Sequence, residues 1–283
     1  MDGIVTGQPV PLSGALGAEM PGTDLTALDD AAFGDVYRAF LDHQVLVFRD
    51  QSLDPMAYLD VARRFGEPMP YPFATGIEGH PEITVIIKEA DQTSNFGGMW
   101  HSDTTYKAEP PKATMLMCIE TPPAGGDTIF ACQHRALAGL SEGLRGMLAG
   151  MKGISSSAKN ASALRTTHLA TGTMQGTGRD DTLTAAHPVV RVHPETGRQG
   201  LFVNRSHTIG FEGWSEAESA DLLEFLLQHQ IQPEFTARVR WRPGTVVIWD
   251  NRSSQHCAIN DYDGHRREMW RITLAGDAPV GST

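Results

Sequence analysis

Trp100-His101-Ser102-Asp103 sets an imidazole and a carboxylate two residues apart, and on an extended backbone that spacing turns both toward one face. Two such groups can bind one metal ion. A further histidine from elsewhere would complete the set that a non-haem iron(II) oxygenase uses on one side of its metal, leaving the other positions to co-substrate and oxygen. Spacing alone is a weak signal in a chain of 11 histidines, because His80-Pro81-Glu82 and His193-Pro194-Glu195 repeat it. Each of those carries a proline in a turn-like setting and reads as exposed turn chemistry rather than as a ligand pair. Further along, Ile248-Trp249-Asp250-Asn251-Arg252 precedes His256, and Arg266, Arg267 and Arg271 follow ahead of Ile272-Thr273-Leu274.

The elements that must position these residues are mostly strands. Asp29 to Gln44 has a helical period through Phe33, Val36, Phe40 and Leu41 and runs into a buried-strand pattern, Val45-Leu46-Val47-Phe48. Asp54-Pro55 is an N-cap with proline at the first helical position, and Gly66 is the stop of that second helix. Ile83–Lys88 and Thr114–Ile119 are β-rich, whereas Leu137, Leu140, Leu144 and Leu148 share a helical face. Val189–Val192 and Leu201–Val203 flank the turn His193-Pro194-Glu195-Thr196-Gly197, and Ser215 with Glu218 forms a capping box ahead of a helix carrying Leu222, Phe225 and Leu226. The clearest strand is Phe235–Trp241, with Phe235, Ala237, Val239 and Trp241 on the buried side. Thr245–Trp249 and Ile272–Ala275 complete a β-rich C-terminal half. No solenoid period and no βαβ alternation is present, so an antiparallel sandwich or jelly roll with helices outside fits best. The Ser/Thr/Gly/Ala/His-rich stretch 154–188 reads as a long excursion, either a lid or disorder.

Composition narrows the partners. A length of 283 residues suits one β-rich domain with insertions. The net charge of −11, with no Lys/Arg cluster with interleaved aromatics to offset it, argues against nucleic acid. No apolar run approaches the roughly 18 residues of a membrane span, and the N-terminus lacks a basic n-region and an apolar h-region, so the expected location is cytoplasmic. Cys118, Cys132 and Cys257 form no CxxC pair and read as buried thiols.

Taken together, WHSD, GGDT at Gly125–Thr128, WDNR at Trp249–Arg252, His256 and the arginine run ending at Arg271 resemble, in order and spacing, the taurine/2,4-D (TauD/TfdA) dioxygenase family, over about Val45 to Asp277. The resemblance implies a mainly β fold with flanking helices around a double-stranded β-helix, or jelly-roll, core. It implies His101, Asp103 and His256 as ligands of Fe(2+), with 2-oxoglutarate and O2 as co-substrates. It places Arg267, eleven residues after His256, on the far carboxylate of 2-oxoglutarate, with Thr128 also touching that molecule. Arg271 matches an arginine near the substrate's acidic group, although a structural ion pair is an equal alternative.

The implied reaction is oxidation of an unactivated C–H bond of a small organic substrate, by hydroxylation, desaturation, epoxidation or ring formation, with 2-oxoglutarate decarboxylated to succinate and CO2. Where taurine dioxygenases carry a histidine-rich stretch, this chain has Pro68-Met69-Pro70-Tyr71-Pro72-Phe73. Tyr71, Phe73, Asn95, Phe96 and Tyr106 could line a more apolar pocket, or, for the aromatics, simply be core. The expected substrate is therefore a larger, partly hydrophobic organic acid or a biosynthetic intermediate, and relatives' habits suggest a homo-oligomer, dimer or tetramer. Two rival readings stand: a metal-dependent hydrolase using the same His/Asp/His cluster, and a non-catalytic jelly-roll binding protein.

Overall fold

Val45-Leu46-Val47-Phe48 is buried at every position, yet its side chains alternate between two different cores. In chain order the strands of this computed structural model are β1 (Val10–Pro11), β2 (Ala18–Glu19), β3 (Val45–Phe48), β4 (Pro68–Met69), β5 (Thr84–Lys88), β6 (Ala113–Glu120), β7 (Thr128–Cys132), β8 (Lys152–Ser156), β9 (Thr184–Pro188), β10 (Val190–Val192), β11 (Gln199–Leu201), β12 (Thr208–Phe211), β13 (Thr236–Val239), β14 (Val246–Asp250), β15 (Ser254–Ala258), β16 (Arg267–Leu274) and β17 (Val280–Gly281). The helices are α1 (Asp30–His43), α2 (Pro55–Phe65), α3 (Gln133–Ala138), α4 (Glu142–Ala149) and α5 (Glu216–His229). Residues 7–71, 76–160 and 182–282 are described.

The large sheet runs β1-β2-β3-β14-β6-β16-β4, with β5 also paired to β16. Period-two alternation gives it two faces. Leu46, Phe48, Met115, Met117, Ile248 and Leu274 meet Phe40 of α1 and Tyr58, Leu59 and Phe65 of α2. Val45, Val47, Leu116, Val247, Trp249 and Met269 point the other way, onto Phe130, Ala237 and Val239 of a smaller sheet ordered β13-β7-β15 and onto Trp241 just beyond β13. Two sheets face to face, with helices on the outside of one, make the expected jelly-roll core. A third cluster packs α3, α4 and α5 against β10, β11 and β12.

Local expectations hold where capping and proline chemistry decide. Asp29 and Asp54 accept from Ala32 N and Ala57 N, Gln44 ends α1 at a left-handed φ of 66°, and the Ser215/Glu218 capping box forms. Others need correction. The leucine face 137–148 is two helices, because the chain breaks after Gly139 and Ser141 caps α4. Phe225 is 49% exposed; Leu223, Leu226 and Leu227 carry the buried side of α5. Phe235 belongs to a 3-10 turn, although Ala237, Val239 and Trp241 do face inward. The supposed excursion begins and ends as an antiparallel pair, β8 with β9, that extends the sheet carrying β12. The part of the lid expectation that falls on 161–181 lies outside the described residues, as does Phe73. No helix among the described residues is long and apolar enough to cross a membrane.

Candidate active site

β15 carries His256 along the edge of the smaller sheet, opposite Phe130 of β7. Its other edge bonds the incoming chain. Ala258 N donates to Gly97 O at 3.0 Å, and His101 and His256 exchange both backbone hydrogen bonds at 3.0 and 2.8 Å. That bridge sets the two imidazoles side by side, with ring centroids 4.1 Å apart. The chain then turns through Thr104, a β-branched residue at φ 41°, and swings Asp103 beneath the rings. Asp103 opens that turn, and its carboxylate and the His101 imidazole reach one site, as the two-residue spacing suggested. One ligand atom from each of His101, Asp103 and His256 lies within 4.8 Å of the others, and all three residues are buried.

The donor chemistry suits a metal. Met99 O, which can only accept, lies 2.6 Å from His101 Nδ1, so Nδ1 carries the proton and Nε2, 3.6 Å from Asp103 Oδ1, keeps its lone pair. Burial lowers the pKa of both histidines, that of His256 well below its ordinary value, so both stay neutral as ligands must. Burial alone would raise the Asp103 carboxyl. The Arg271 guanidinium, then the two histidines and the Thr114 hydroxyl, outweigh it and hold Asp103 below the usual carboxylate range. Asp103 Oδ2 accepts from Thr114 Oγ1 at 2.6 Å and from Asn251 Nδ2 at 3.3 Å. Asn251 is fixed in turn by Trp249 Nε1, 3.0 Å from its Oδ1.

Both sequence-predicted arginines enter the sandwich from β16. Arg267, Met269 and Arg271 share the inward face of that strand, with the two arginines four residues apart. Arg267 is 6% exposed, its Nε and Nη2 have no hydrogen-bond partner among the described residues, and no carboxylate forms an ion pair with it. Burial lowers its pKa, with Tyr262 the largest opposing influence. Its guanidinium lies 5.7 Å from the centre of the Trp241 ring, whose Nε1 donates to Thr128 Oγ1 at 3.0 Å. The glycines before Thr128 make room: Gly125 and Gly126 have φ of 82° and 68°, and a Cβ on Gly126 would come within 3.3 Å of Arg267 Cδ.

Arg271 Nη2 lies 2.6 Å from Asp103 Oδ1 but off the N–H line, so this is an ion pair that leaves Nη1 and Nη2 without hydrogen-bond partners among the described residues. Its Cζ is 4.9 Å from the centre of Tyr71 and 5.9 Å from that of Phe96, and these two rings meet edge-on. Asn95, by contrast, is committed to Ala258 O at 3.2 Å. Sequence reasoning missed several neighbours. His207 stands edge-on to His101 and to Tyr106, at 6.2 and 4.9 Å. Thr105 Oγ1 meets His207 Nδ1 at 3.1 Å and accepts from Asn204 Nδ2 at 3.0 Å, while His187 Nε2 reaches the carbonyls of Thr105 and Lys107, both at 2.9 Å. His187 comes from β9, within the stretch 154–188 that carried no periodic signal, Asn204 and His207 from the turn ahead of β12, and Thr105 from the turn after Asp103.

His193-Pro194-Glu195 does form a turn with Pro194 and Glu195 exposed, but its histidine is buried. His193 is 2% exposed and bonds Asp250 Oδ2 at 2.9 Å, and Glu195 accepts from Arg252 Nη1 at 2.6 Å. Arg252 binds both oxygens of Asp250, at 2.9 and 2.7 Å. The Asp and Arg of WDNR thus build an ion-paired network of their own, while its Trp249 and Asn251 reach the candidate site. His80 stays partly exposed, near an isolated bridge with Ile77.

A family model described as taurine catabolism dioxygenase TauD, TfdA family, matches residues 9–273. An alpha-ketoglutarate-dependent sulfate ester dioxygenase of Pseudomonas putida is 34% identical over 287 residues, covering 96% of this chain and 90% of that protein. An (S)-phenoxypropionate/alpha-ketoglutarate-dioxygenase of Sphingobium herbicidovorans is 33% identical over 280 residues, covering 96% of each. Among solved structures, a taurine dioxygenase from Burkholderia xenovorans superposes with a TM-score of 0.81 at 36% identity, covering 97% of this chain and 92% of that one.

Proposed function

Since the chain belongs to the TauD/TfdA family of dioxygenases, we propose that it is an iron(II)- and 2-oxoglutarate-dependent dioxygenase that oxidises a C–H bond of a small organic anion. His101, Asp103 and His256 are the ligands of this reading, and Arg267 with Thr128 receives the 2-oxoglutarate. Iron with 2-oxoglutarate and O2 supplies the oxidising chemistry, with release of succinate and CO2. The chain's own residues bind, orient and exclude water. Thr114 and Asn251 aim Asp103, Met99 fixes the His101 tautomer, and Phe130 and Trp249 pack against His256.

The single observation that carries the proposal is Arg267. A guanidinium buried on the same inward strand face as Arg271, with two of its nitrogens unpaired among the described residues and no ion-pair partner there, only the more distant charge of Asp127, is costly unless an anion belongs there. A planar carboxylate matches its fork. For the substrate, Arg271 between Tyr71 and Phe96 favours a monoanionic head on an apolar or aryl body, and relatives that act on sulfate esters and phenoxypropionate support screening such compounds first. A cytoplasmic location and a dimeric or tetrameric state belong to the proposal too, and cell fractionation and light scattering check them.

The decisive experiment adds iron(II) and 2-oxoglutarate anaerobically to metal-free protein and looks for a weak visible charge-transfer band. The band is expected in the parent and lost in Arg267→Ala. No band, together with turnover of ester substrates under anaerobic conditions, would instead establish the hydrolase.

A further inference from the structure

Asp103 divides its two oxygens between different partners. Oδ2 is held by Thr114 and Asn251, at 2.6 and 3.3 Å. Oδ1 is the oxygen on the histidine side, 3.6 Å from His101 Nε2, and the same oxygen lies 2.6 Å from Arg271 Nη2. A metal ion that took Asp103 through this histidine-side oxygen would share Oδ1 with a guanidinium.

We propose that Arg271 competes with the metal for Asp103 Oδ1, and that this competition couples metal occupancy to the binding of the substrate's anionic group. The inference rests on the ligand assignment above and deepens it, from where the anion binds to when it binds well. Arg271 is 3% exposed, and Asp103 is its only ion-pair partner among the described residues. Its other neighbours are Tyr71, which also hydrogen-bonds it, Tyr106 and the face of Phe96, none of which carries a net charge. When a divalent ion draws on Oδ1, the guanidinium loses part of its neutralisation in a place water does not reach. Its unbonded Nη1 and Nη2 then favour an anion more strongly. By linkage, that anion strengthens metal binding by the same factor. Asp103 itself does not need Arg271 for its orientation, because Oδ2 has two hydrogen bonds of its own.

The metal alone tests the first half. Mn(II) is titrated calorimetrically into the metal-free parent, Arg271→Gln, Arg271→Met and Arg271→Lys, with thermal unfolding recorded for each. Arg271 Nη2 lies 2.6 Å from Oδ1, so removing a unit charge next to an oxygen that would bind a divalent ion should tighten the Mn(II) Kd on the order of tenfold even at the dielectric of water. Both neutral variants are therefore expected to bind Mn(II) more tightly, and the charged Lys variant to stay near the parent. Whichever neutral variant keeps a cooperative melt decides the matter, and Mn(II) affinity equal to or weaker than the parent's overturns the proposal. The second half uses methanesulfonate as the anion. At saturating concentration it should tighten Mn(II) binding to the parent and have no such effect in Arg271→Gln; an unchanged parent Kd overturns the coupling. Failure of the ligand assignment looks different, because Mn(II) affinity would then survive Asp103→Ala.

Discussion

Replacing Arg267 by methionine should separate two quantities that usually move together. Truncating one partner of a buried ion pair costs about 3–5 kcal/mol of stability, because the other charge is stranded. Arg267 strands nothing when removed: it has no carboxylate partner, and its Nε and Nη2 are already unpaired. Against this, the stacking on Trp241 and the contact with Tyr262 are lost, on the order of 1 kcal/mol. The expected result is a urea midpoint unchanged or raised, with methionine filling most of the volume. Binding of 2-oxoglutarate should behave in the opposite way. Two charge-assisted hydrogen bonds at about 1.5–3 kcal/mol each amount to roughly 3–6 kcal/mol, or two to four powers of ten in Kd. Denaturant melts measure the first quantity, and anaerobic titration of the iron(II) form with 2-oxoglutarate measures the second. A variant that loses several kcal/mol of stability while keeping its 2-oxoglutarate affinity would show that Arg267 is structurally satisfied and that the anion binds elsewhere.

Asn251→Ala removes the amide that bonds both Asp103 Oδ2 and Thr114 Oγ1; metal affinity should fall by about 10–100-fold in a calorimetric titration, the usual cost of losing a ligand's supporting hydrogen bond. Gly126→Ala places a methyl within 3.3 Å of Arg267 Cδ at a φ of 68°, so 2-oxoglutarate affinity should drop although no contacting group has been removed, and an unchanged value would mean that Arg267 has slack. His134, whose Nδ1 donates to Gln199 O at 2.7 Å, has its pKa lowered by burial from 6.5 to about 4. The unfolded state therefore binds this proton first, and the contribution of His134, at most roughly 3 kcal/mol, is complete above pH 6.5 and lost as pH falls toward 4. His134→Gln should flatten that limb of the melting profile, and a profile of unchanged steepness between pH 6.5 and 4 would exclude the group as its source.

The site was legible in part for a physical reason. Ligands and anchors are set by chemistry that few residue types can perform, so His101, Asp103, His256 and Arg267 stood out once their spacing was compared with a family. The strands beneath them did not. β15 reads Ser-Gln-His-Cys-Ala and four of its five residues are buried, so it offers no alternation of apolar and polar positions. β7 hid in the same way, with its alternation blurred by burial on both faces. Asn251, Thr114 and Thr105 were invisible for a different reason: a small polar side chain looks like a surface residue until its partner, distant in sequence, is known. His193 shows the converse error, since a proline beside it suggested a solvent-exposed turn and the partner that buries it, Asp250, is 57 residues away.

Burial of arginine therefore says little by itself, and the partner says what the residue is for. Arg252, buried as deeply as any, has Asp250 on both oxygens and Glu195 beyond, a closed set in which every charge is met. Arg191 stacks on Phe202 at 4.8 Å, with the fields of Asp250 and Asp277 partly offsetting its burial. Arg271 divides its attention, being paired with the Asp103 oxygen on the histidine side and having N–H groups to spare. Arg267 has no ion-pair partner among the described residues: Tyr262 and Trp241 lie against it, and Asp127 acts only through its field. A fold does not retain a bare cation in its interior for stability, since an apolar side chain would serve better at lower cost. The gradient from Arg252 to Arg267 is thus a gradient from scaffold to ligand site, and it points along β16 to the place where a dicarboxylate would complete the charge.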